Sequence, residues 1–479
     1  MTPKRVLVLQ LARLGDLVQT WPLLRRLRAG GPQARLELVC DAGLAALTAW
    51  GPRLDGLFGL EMRDLAARAV REPAAVGRRL QAVLAELRRQ GYEKVFNLNF
   101  SRLSLLLTHA VGAPARGYQP LLGGREFGRP PWLAYVFALA HVRRLNPLHL
   151  SDVFRHLAPV APEDPPPGAA RPSPGREPLL ALVPGTRHPK RTWPPAAFAG
   201  FVRELSRHTP VRFLLVGTAG ERPLGEAILR ELSAPLRERV HNLLGRTGLG
   251  ELPEHLLEAD LVVGGDTGAL HLAAALGVAC LGLYFGPALA AETGPYGPGH
   301  LVLQAEPPCH PCREGDPCAD PFCSRLLTPE LAARAALALL AGERGTLPPL
   351  PPQVRLYRSS LDGLGAVYLP GDGRPPEAAD LAAAAYRAVA GRLAGLNGAV
   401  DRPGEIPPDL KATLARLAGV VRGRNGDLAA AEPYLLLPLK AFRAEAVRQG
   451  TLQGRRALWE ELAGRLAEEF ALLLEAWAA

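Results

Sequence analysis

The stretch that most restricts the fold is residues 260–277, Asp-Leu-Val-Val-Gly-Gly-Asp-Thr-Gly-Ala-Leu-His-Leu-Ala-Ala-Ala-Leu-Gly. Residues 261–263 are a short apolar run of buried-strand type, ended by Gly264 and Gly265. Residues 269–276 are rich in strong helix formers, and Gly277 stands where a helix C-cap belongs. A second apolar run, residues 278–285, follows at once. Strand, tight loop, helix and strand in that order make one unit of a parallel sheet. The loop Gly265-Asp266-Thr267-Gly268 then lies at a helix N-terminus. Free backbone N–H groups and the positive end of the helix dipole suit an anion there. Glycines let the backbone approach a phosphate, and the Thr267 hydroxyl can donate to one. The same loop also reads as an ordinary strand-to-helix turn with Asp266 or Thr267 as N-cap.

The alternation starts at the N-terminus. Residues 6–9 are a buried strand, residues 10–16 a loop, and residues 17–27 largely helical. Gly15 permits a close turn, Asp16 sits at an N-cap position, and Pro22 starts a new helical segment or kinks this one. Strands at 36–40, 57–60 and 94–98 follow, with helices at 44–50, 65–90 (interrupted at Pro73) and 103–111. This is a doubly wound half-molecule. Asn97, Asn99, Ser101 and Arg102 fall at the carboxyl end of a strand, where open α/β sheets bind ligands. They are acceptor-binding candidates, with polar loop caps as the plainer reading. Residues 119–158 carry no assignable role.

Residues 161–177 are a proline-rich linker with little capacity to fold. After it the pattern restarts, with strands at 179–183, 211–216 and 240–244 and helices at 196–208, 222–232 and 252–259. The restart implies an α/β chain of GT-B type, two Rossmann-like domains facing across a cleft. The expected division is 1–160, 178–345 and a mostly helical region, 353–479, set off by a second proline-rich stretch at 347–352. Residues 354–358 and 366–369 read as a hairpin. The remaining C-terminal residues show no catalytic signature and read as an appendage for docking or oligomerisation.

Asp266-Thr267-Gly268-Ala-Leu-His271 resembles the signature loop of glycosyltransferase family 9, the ADP-heptose:lipopolysaccharide heptosyltransferases. The resemblance covers about the first 345 residues. It implies that this loop holds the diphosphate of a nucleotide sugar, with His271 either supporting that site or packing beside it. Arg13-Leu-Gly-Asp16-x-x-x-Thr20-x-Pro22 resembles the family's opening motif, in which the aspartate is the proposed general base. A carboxylate is needed to take the proton of an acceptor hydroxyl as it attacks a sugar C1, and Arg13 would then face the acceptor. Pro184-Gly-Thr186 precedes the basic run Arg187-His-Pro-Lys190-Arg191-Thr-Trp193-Pro194. A departing diphosphate needs its charge neutralised by a metal or by Lys and Arg. The chain has no Asp-x-Asp metal motif, so cations fit better. The family places a lysine two residues before Trp-Pro. Here Arg191 holds that spacing and Lys190 sits one residue earlier, so both are candidates. Glu221 resembles a position near the nucleoside ribose, though the helix dipole alone explains a glutamate there.

Cys309, Cys312, Cys318 and Cys323 cluster in Cys-x2-Cys-x5-Cys-x4-Cys spacing. In a cytosolic chain such a cluster more often binds metal than forms disulfides, although the spacing is tighter than in common zinc modules. A structural metal, reduced thiols and disulfides all stay open. Cys40 and Cys280 lie in strands and read as core. A net charge of +10 and a pI near 9.6 admit nucleic acid, an anionic membrane face or phosphorylated ligands. No aromatic-basic patch supports nucleic acid. No apolar run reaches about 18 residues, and the first strand is too short for a signal-peptide core. A cytoplasmic bacterial protein is expected, any contact with the inner membrane being peripheral.

The resemblance implies an inverting, metal-independent glycosyltransferase that needs no cofactor. It would move heptose from ADP-heptose to a lipopolysaccharide-core or similar cell-surface glycan acceptor. Two alternatives stay open: a GT-B sugar-nucleotide epimerase or hydrolase in which water attacks, and a non-catalytic partner protein. Retention of Asp16 and of the cationic run argues against the second. A Rossmann dehydrogenase is excluded because no Gly-x-Gly-x-x-Gly follows a strand.

Overall fold

Strand β1 (Arg5–Gln10) buries Val6, Leu7, Val8 and Leu9, which alternate between its two faces. A strand apolar on both sides belongs at the centre of a covered parallel sheet. In the computed structural model it lies there, next to β2 (Arg35–Asp41), with β3 (Gly56–Leu60) beyond. On its other side are β4 (Lys94–Asn97) and β5 (Ala115–Gly117), giving the order β3-β2-β1-β4-β5. The structure describes residues 4–170, 175–342, 349–374, 377–396 and 436–478, with isolated positions between 411 and 421.

Proline sets the helix breaks. It has no N–H to donate inside a helix, so it is tolerated in a first turn. The helix Leu14–Gln19 therefore ends and Trp21–Gly30 begins around Pro22. Pro73 in the same way opens Pro73–Arg89 after Met62–Arg68. Asp16 is not an N-cap: Arg13 holds that position, and Asp16 lies within the first turn. An antiparallel ribbon, β6 (Gln119–Leu121) with β7 (Glu126–Gly128), leads to the helix Pro131–Leu139.

The second sheet begins after the linker, of which residues 171–174 lie outside the described residues. Parallel strands β8 (Leu179–Val183), β9 (Arg212–Leu215), β10 (Val240–Asn242), β11 (Leu261–Gly264), β12 (Cys280–Tyr284) and β13 (Leu301–Ala305) are followed by two antiparallel ones. These are β14 (Val354–Leu361) and β15 (Ala366–Pro370). The order is β10-β9-β8-β11-β12-β13-β14-β15. Strand order reverses beside β1 in the first sheet and beside β8 in the second. Loops part at such points and leave a crevice at the strands' carboxyl ends. The architecture is GT-B.

The expected break after residue 345 does not divide the fold. β14 pairs with β13 from Leu301↔Arg358 to Ala305↔Val354, so the hairpin extends the second sheet. Without it β13 would present a row of unpaired N–H and C=O groups. Leu347 and Pro348 of the second expected linker lie outside the described residues. The helices Ala378–Leu393, Leu437–Leu452 and Arg456–Ala478 do not stand apart either. Tyr135, on the helix Pro131–Leu139, meets the Phe442 ring at 5.7 Å and donates to the Tyr386 carbonyl at 2.8 Å. Arg129 and Glu445 form a buried ion pair at 2.6 Å. Asp152, buried on the helix Leu150–Arg155, accepts from the Tyr296 hydroxyl at 2.7 Å and from Ala366 N at 2.8 Å. One carboxylate thus joins the first unit, the second and the hairpin.

A chain ending at residue 345 strips β14 from β13 and uncovers the apolar surface around Tyr135 that the C-terminal helices bury. The fragment is expected to aggregate or to bind an apolar dye much more strongly than the full chain does. A soluble fragment with one cooperative melting transition would show that the tail is dispensable for folding.

Candidate active site

The two switch points open into one crevice. The first unit contributes the loop after β1, and the second contributes the loops after β8 and β11. They meet at glycines. A Cβ on Gly15 would come within 3.0 Å of His271 Cδ2, and one on Gly268 would lie 3.0 Å from Gly15 N and closer still to Leu14. Larger residues would hold the loops apart, so the sequence choice fixes the approach of Asp16 to the second unit.

Thr267 caps the helix Gly268–Ala275, its Oγ1 accepting from Leu270 N at 3.3 Å. Asp266 is turned inward with 8% of its side chain exposed. Its Oδ2 takes a 2.7 Å bond from Arg191 Nη1, and its Oδ1 lies 3.2 Å from His271 Nε2. Burial pushes the Asp266 carboxyl up, but the His271 bond and charge, Arg191 and Thr293 together hold it below the usual carboxylate range. Asp266 is therefore a carboxylate that aims a cation and an imidazole. Both of its oxygens are engaged by the protein.

Arg191 also pairs with Glu314, a residue that sequence reasoning missed. Lys190 Nζ donates to the carbonyls of Glu314, at 3.2 Å, and Asp316. Thr186 Oγ1 donates to the His188 carbonyl at 2.8 Å and lies 2.8 Å from Thr192 Oγ1, which shapes the cationic loop from within. Glu221 sits at the carboxyl ends of β8 and β9, so close to Gly185 and Gly217 that a Cβ on either would collide with it. Its Oε2 accepts from Thr218 N at 2.6 Å, the capping bond expected of a glutamate at a helix start.

Asp16 is half-buried, and its Oδ2 accepts from Arg13 N at 3.2 Å, while the Arg13 side chain is exposed. Burial raises the Asp16 pKa, His271 pulls it down and Asp266 pushes it up, with a net rise. A carboxylate of raised pKa is a stronger base.

The loop carrying Asp16 meets the N-terminus of the helix Gly268–Ala275, beside Lys190 and Arg191, and residues 158–320 match the glycosyltransferase family 9 (heptosyltransferase) family model. That stretch is similar to glycosyltransferase family 9, and the chain is a glycosyltransferase. It is 29% identical over 328 residues to lipopolysaccharide heptosyltransferase 1 of Pseudomonas aeruginosa, covering 64% of this chain and 86% of that protein. It is 24% identical over 356 residues to lipopolysaccharide heptosyltransferase 2 of Escherichia coli, covering 71% and 99%. A solved E. coli heptosyltransferase with ADP superposes with a TM-score of 0.49 at 19% identity, over 63% of this chain and 93% of that one.

The glycosyltransferase does not gather every candidate. Asn99 Oδ1 accepts from Leu11 N at 2.6 Å, and its Nδ2 donates to Gln10 Oε1 at 2.5 Å. Asn97 accepts from Asn99 N at 3.1 Å and donates to the Tyr118 carbonyl at 3.1 Å. Both asparagines splice the loops after β1 and β4 together. Arg102 remains exposed at the start of the helix Arg102–Val111, with no ion pair among the described residues. Of the four clustered cysteines, Cys309 and Cys318 are exposed, Cys312 is half-buried and Cys323 is buried. Among the described residues no group of three or more His, Cys, Asp and Glu side chains is arranged to hold a metal ion.

Beside His271 a small cavity of about 10 Å³ lies between the units, lined in part by Gln19, Arg25, Ser151 and Tyr296. Gln19 Oε1, Ser151 Oγ and His271 Nδ1 are buried there without hydrogen-bond partners among the described residues. Such groups mark a place for water or a ligand hydroxyl.

Asp16 carries a stability cost. Its folded pKa lies above its unfolded value, so the ionised carboxylate opposes folding at neutral pH. The penalty fades as pH falls through the raised pKa. Asp16→Asn is expected to melt above the parent at pH 7, with the gap closing in acid. Thermal denaturation across pH checks this, and a lower-melting variant at pH 7 would assign the carboxylate a net stabilising role.

Proposed function

We propose that this glycosyltransferase moves a heptose from ADP-heptose to a sugar of the lipopolysaccharide inner core or a similar cell-surface glycan, with inversion and without a metal ion. One observation carries the reading: the Asp16 loop meets the Asp266-Thr267-Gly268 loop, which Arg191 pins through Asp266, with Lys190 alongside. The names of the curated relatives, lipopolysaccharide heptosyltransferases, support the donor and acceptor classes.

In this scheme the acceptor hydroxyl oxygen attacks C1 of the donor sugar as its proton passes to Asp16. The bond from C1 to the diphosphate oxygen breaks, and its electron pair leaves with the nucleoside diphosphate. A single displacement inverts C1. Lys190, Arg191 and the N–H groups at the start of the helix Gly268–Ala275 neutralise the leaving charge. Thr186 and Asp266 hold the cations in place, His271 buttresses Asp266, and Glu221 lies where the nucleoside would enter. Arg13 and Arg102, both exposed, are left to face an anionic acceptor. Among the described residues no helix is long and apolar enough to cross a membrane. In this reading the enzyme is cytoplasmic, and its contact with a membrane-borne acceptor is peripheral.

Asp16→Asn is expected to lower turnover by about 10²–10⁴ while leaving ADP affinity nearly intact. Lys190→Ala with Arg191→Ala is expected to weaken ADP binding as well. Transfer to an acceptor, scored against heptose released into water, separates the transferase from a hydrolase. Transfer that fails in EDTA and returns with magnesium would overturn the metal-independent scheme.

A further inference from the structure

The two cations that the proposed diphosphate site requires are already covered by one segment of chain. That segment lies between anchored ends. His310 Nε2 donates to the Ala288 carbonyl at 2.9 Å, and Arg143 Nη1 donates to the Cys312 carbonyl at 2.9 Å. Cys323 is buried at the far end. Residues 315–321 between them are exposed, and a turn closed by Arg313 N on Asp316 Oδ2 at 2.7 Å points Glu314 back inward. The Glu314 carboxylate meets Arg191, and the Glu314 and Asp316 carbonyls meet Lys190.

Charge balance governs entry to this site. Arg191 faces two carboxylates, those of Asp266 and Glu314, while Lys190 faces the Glu314 and Asp316 carbonyls. A diphosphate entering beside this balanced set gains little Coulomb energy until one carboxylate leaves. Asp266 is 8% exposed and held from both oxygens, so moving it strands a buried charge. Glu314 is 36% exposed, and water can take its carboxylate at small cost. Its departure with the turn also frees the Lys190 ammonium.

We propose that Glu314 sets the donor affinity of this enzyme: it competes with the diphosphate for Arg191, and the 313–316 turn withdraws from both cations as the diphosphate enters. This rests on the diphosphate reading of the site. The experiment titrates ADP into the full chain by calorimetry. Glu314→Gln and Glu314→Ala are each expected to bind ADP about two- to fivefold more tightly than the parent, the range of one partly exposed ion pair. Asp320→Asn, which breaks only the surface pair with Arg325, is expected to leave affinity unchanged. Melting temperatures of the Glu314 variants should not rise, since the loss of a contact that merely builds the loop would lower both stability and affinity. Unchanged or weaker ADP binding in the Glu314 variants, with the parent binding normally, overturns the competition alone. If neither the parent nor the variants bind ADP, the diphosphate reading fails and the inference falls with it.

Discussion

The site depends on the carboxylate of Asp266. It reaches the cationic loop after β8 through Arg191 and the helix after β11 through His271. These segments lie 75 residues apart in sequence at the first contact and five at the second. A buried acid is costly unless its charge is matched, and this one is matched twice, which is why its pKa lies below the ordinary range despite burial. The pair of bonds turns two adjacent strand ends into one rigid anion-facing surface. Preorganised charge of this kind does not have to be reoriented when negative charge develops on a leaving group.

Asp16 stands in the opposite condition. It has no ion pair of its own among the described residues, and burial works against its ionised form. In the proposed role of base, a carboxylate too well satisfied would not take a proton. The glycines at 15 and 268 enforce this arrangement, because they let the two units touch closely enough to shelter the carboxylate. Stability given up at a reactive group and recovered in the surrounding contacts is a common pattern in enzymes.

Much of the frame was legible because it is local. Strands such as β1 and β11 announce themselves by apolar runs, and Pro22 and Pro73 break helices wherever they fall. The Asp266-Thr267-Gly268 loop could be placed at a helix N-terminus from its neighbours alone. Long-range pairing was not legible. Nothing near Arg191 in sequence points to Glu314, which lies 123 residues on. Asn97 and Asn99 have the right position for ligand contact, but the loop after β1 uses their hydrogen-bonding capacity first. The hairpin at 354–370 was visible as a hairpin, yet its partner β13 lies across a proline-rich stretch that reads as a boundary. Composition signals where a chain can bend, and only tertiary pairing decides whether it departs.

The same long-range contacts limit how the crevice can admit a substrate. Asp152 ties the first unit to Tyr296 and to the hairpin, and His149 Nε2 donates to the Gly294 carbonyl at 2.9 Å. Arg143 holds Glu292, the Pro287 carbonyl and the Cys312 carbonyl together. Swinging the units apart would strip partners from Asp152 and His149, both fully buried, and an orphaned buried polar group costs about 1–3 kcal/mol, more when charged. Withdrawing the 313–316 turn breaks only contacts that water can replace. The cheapest motion that exposes the cations is therefore local, and Arg143 keeps the base of that turn fixed while its tip moves.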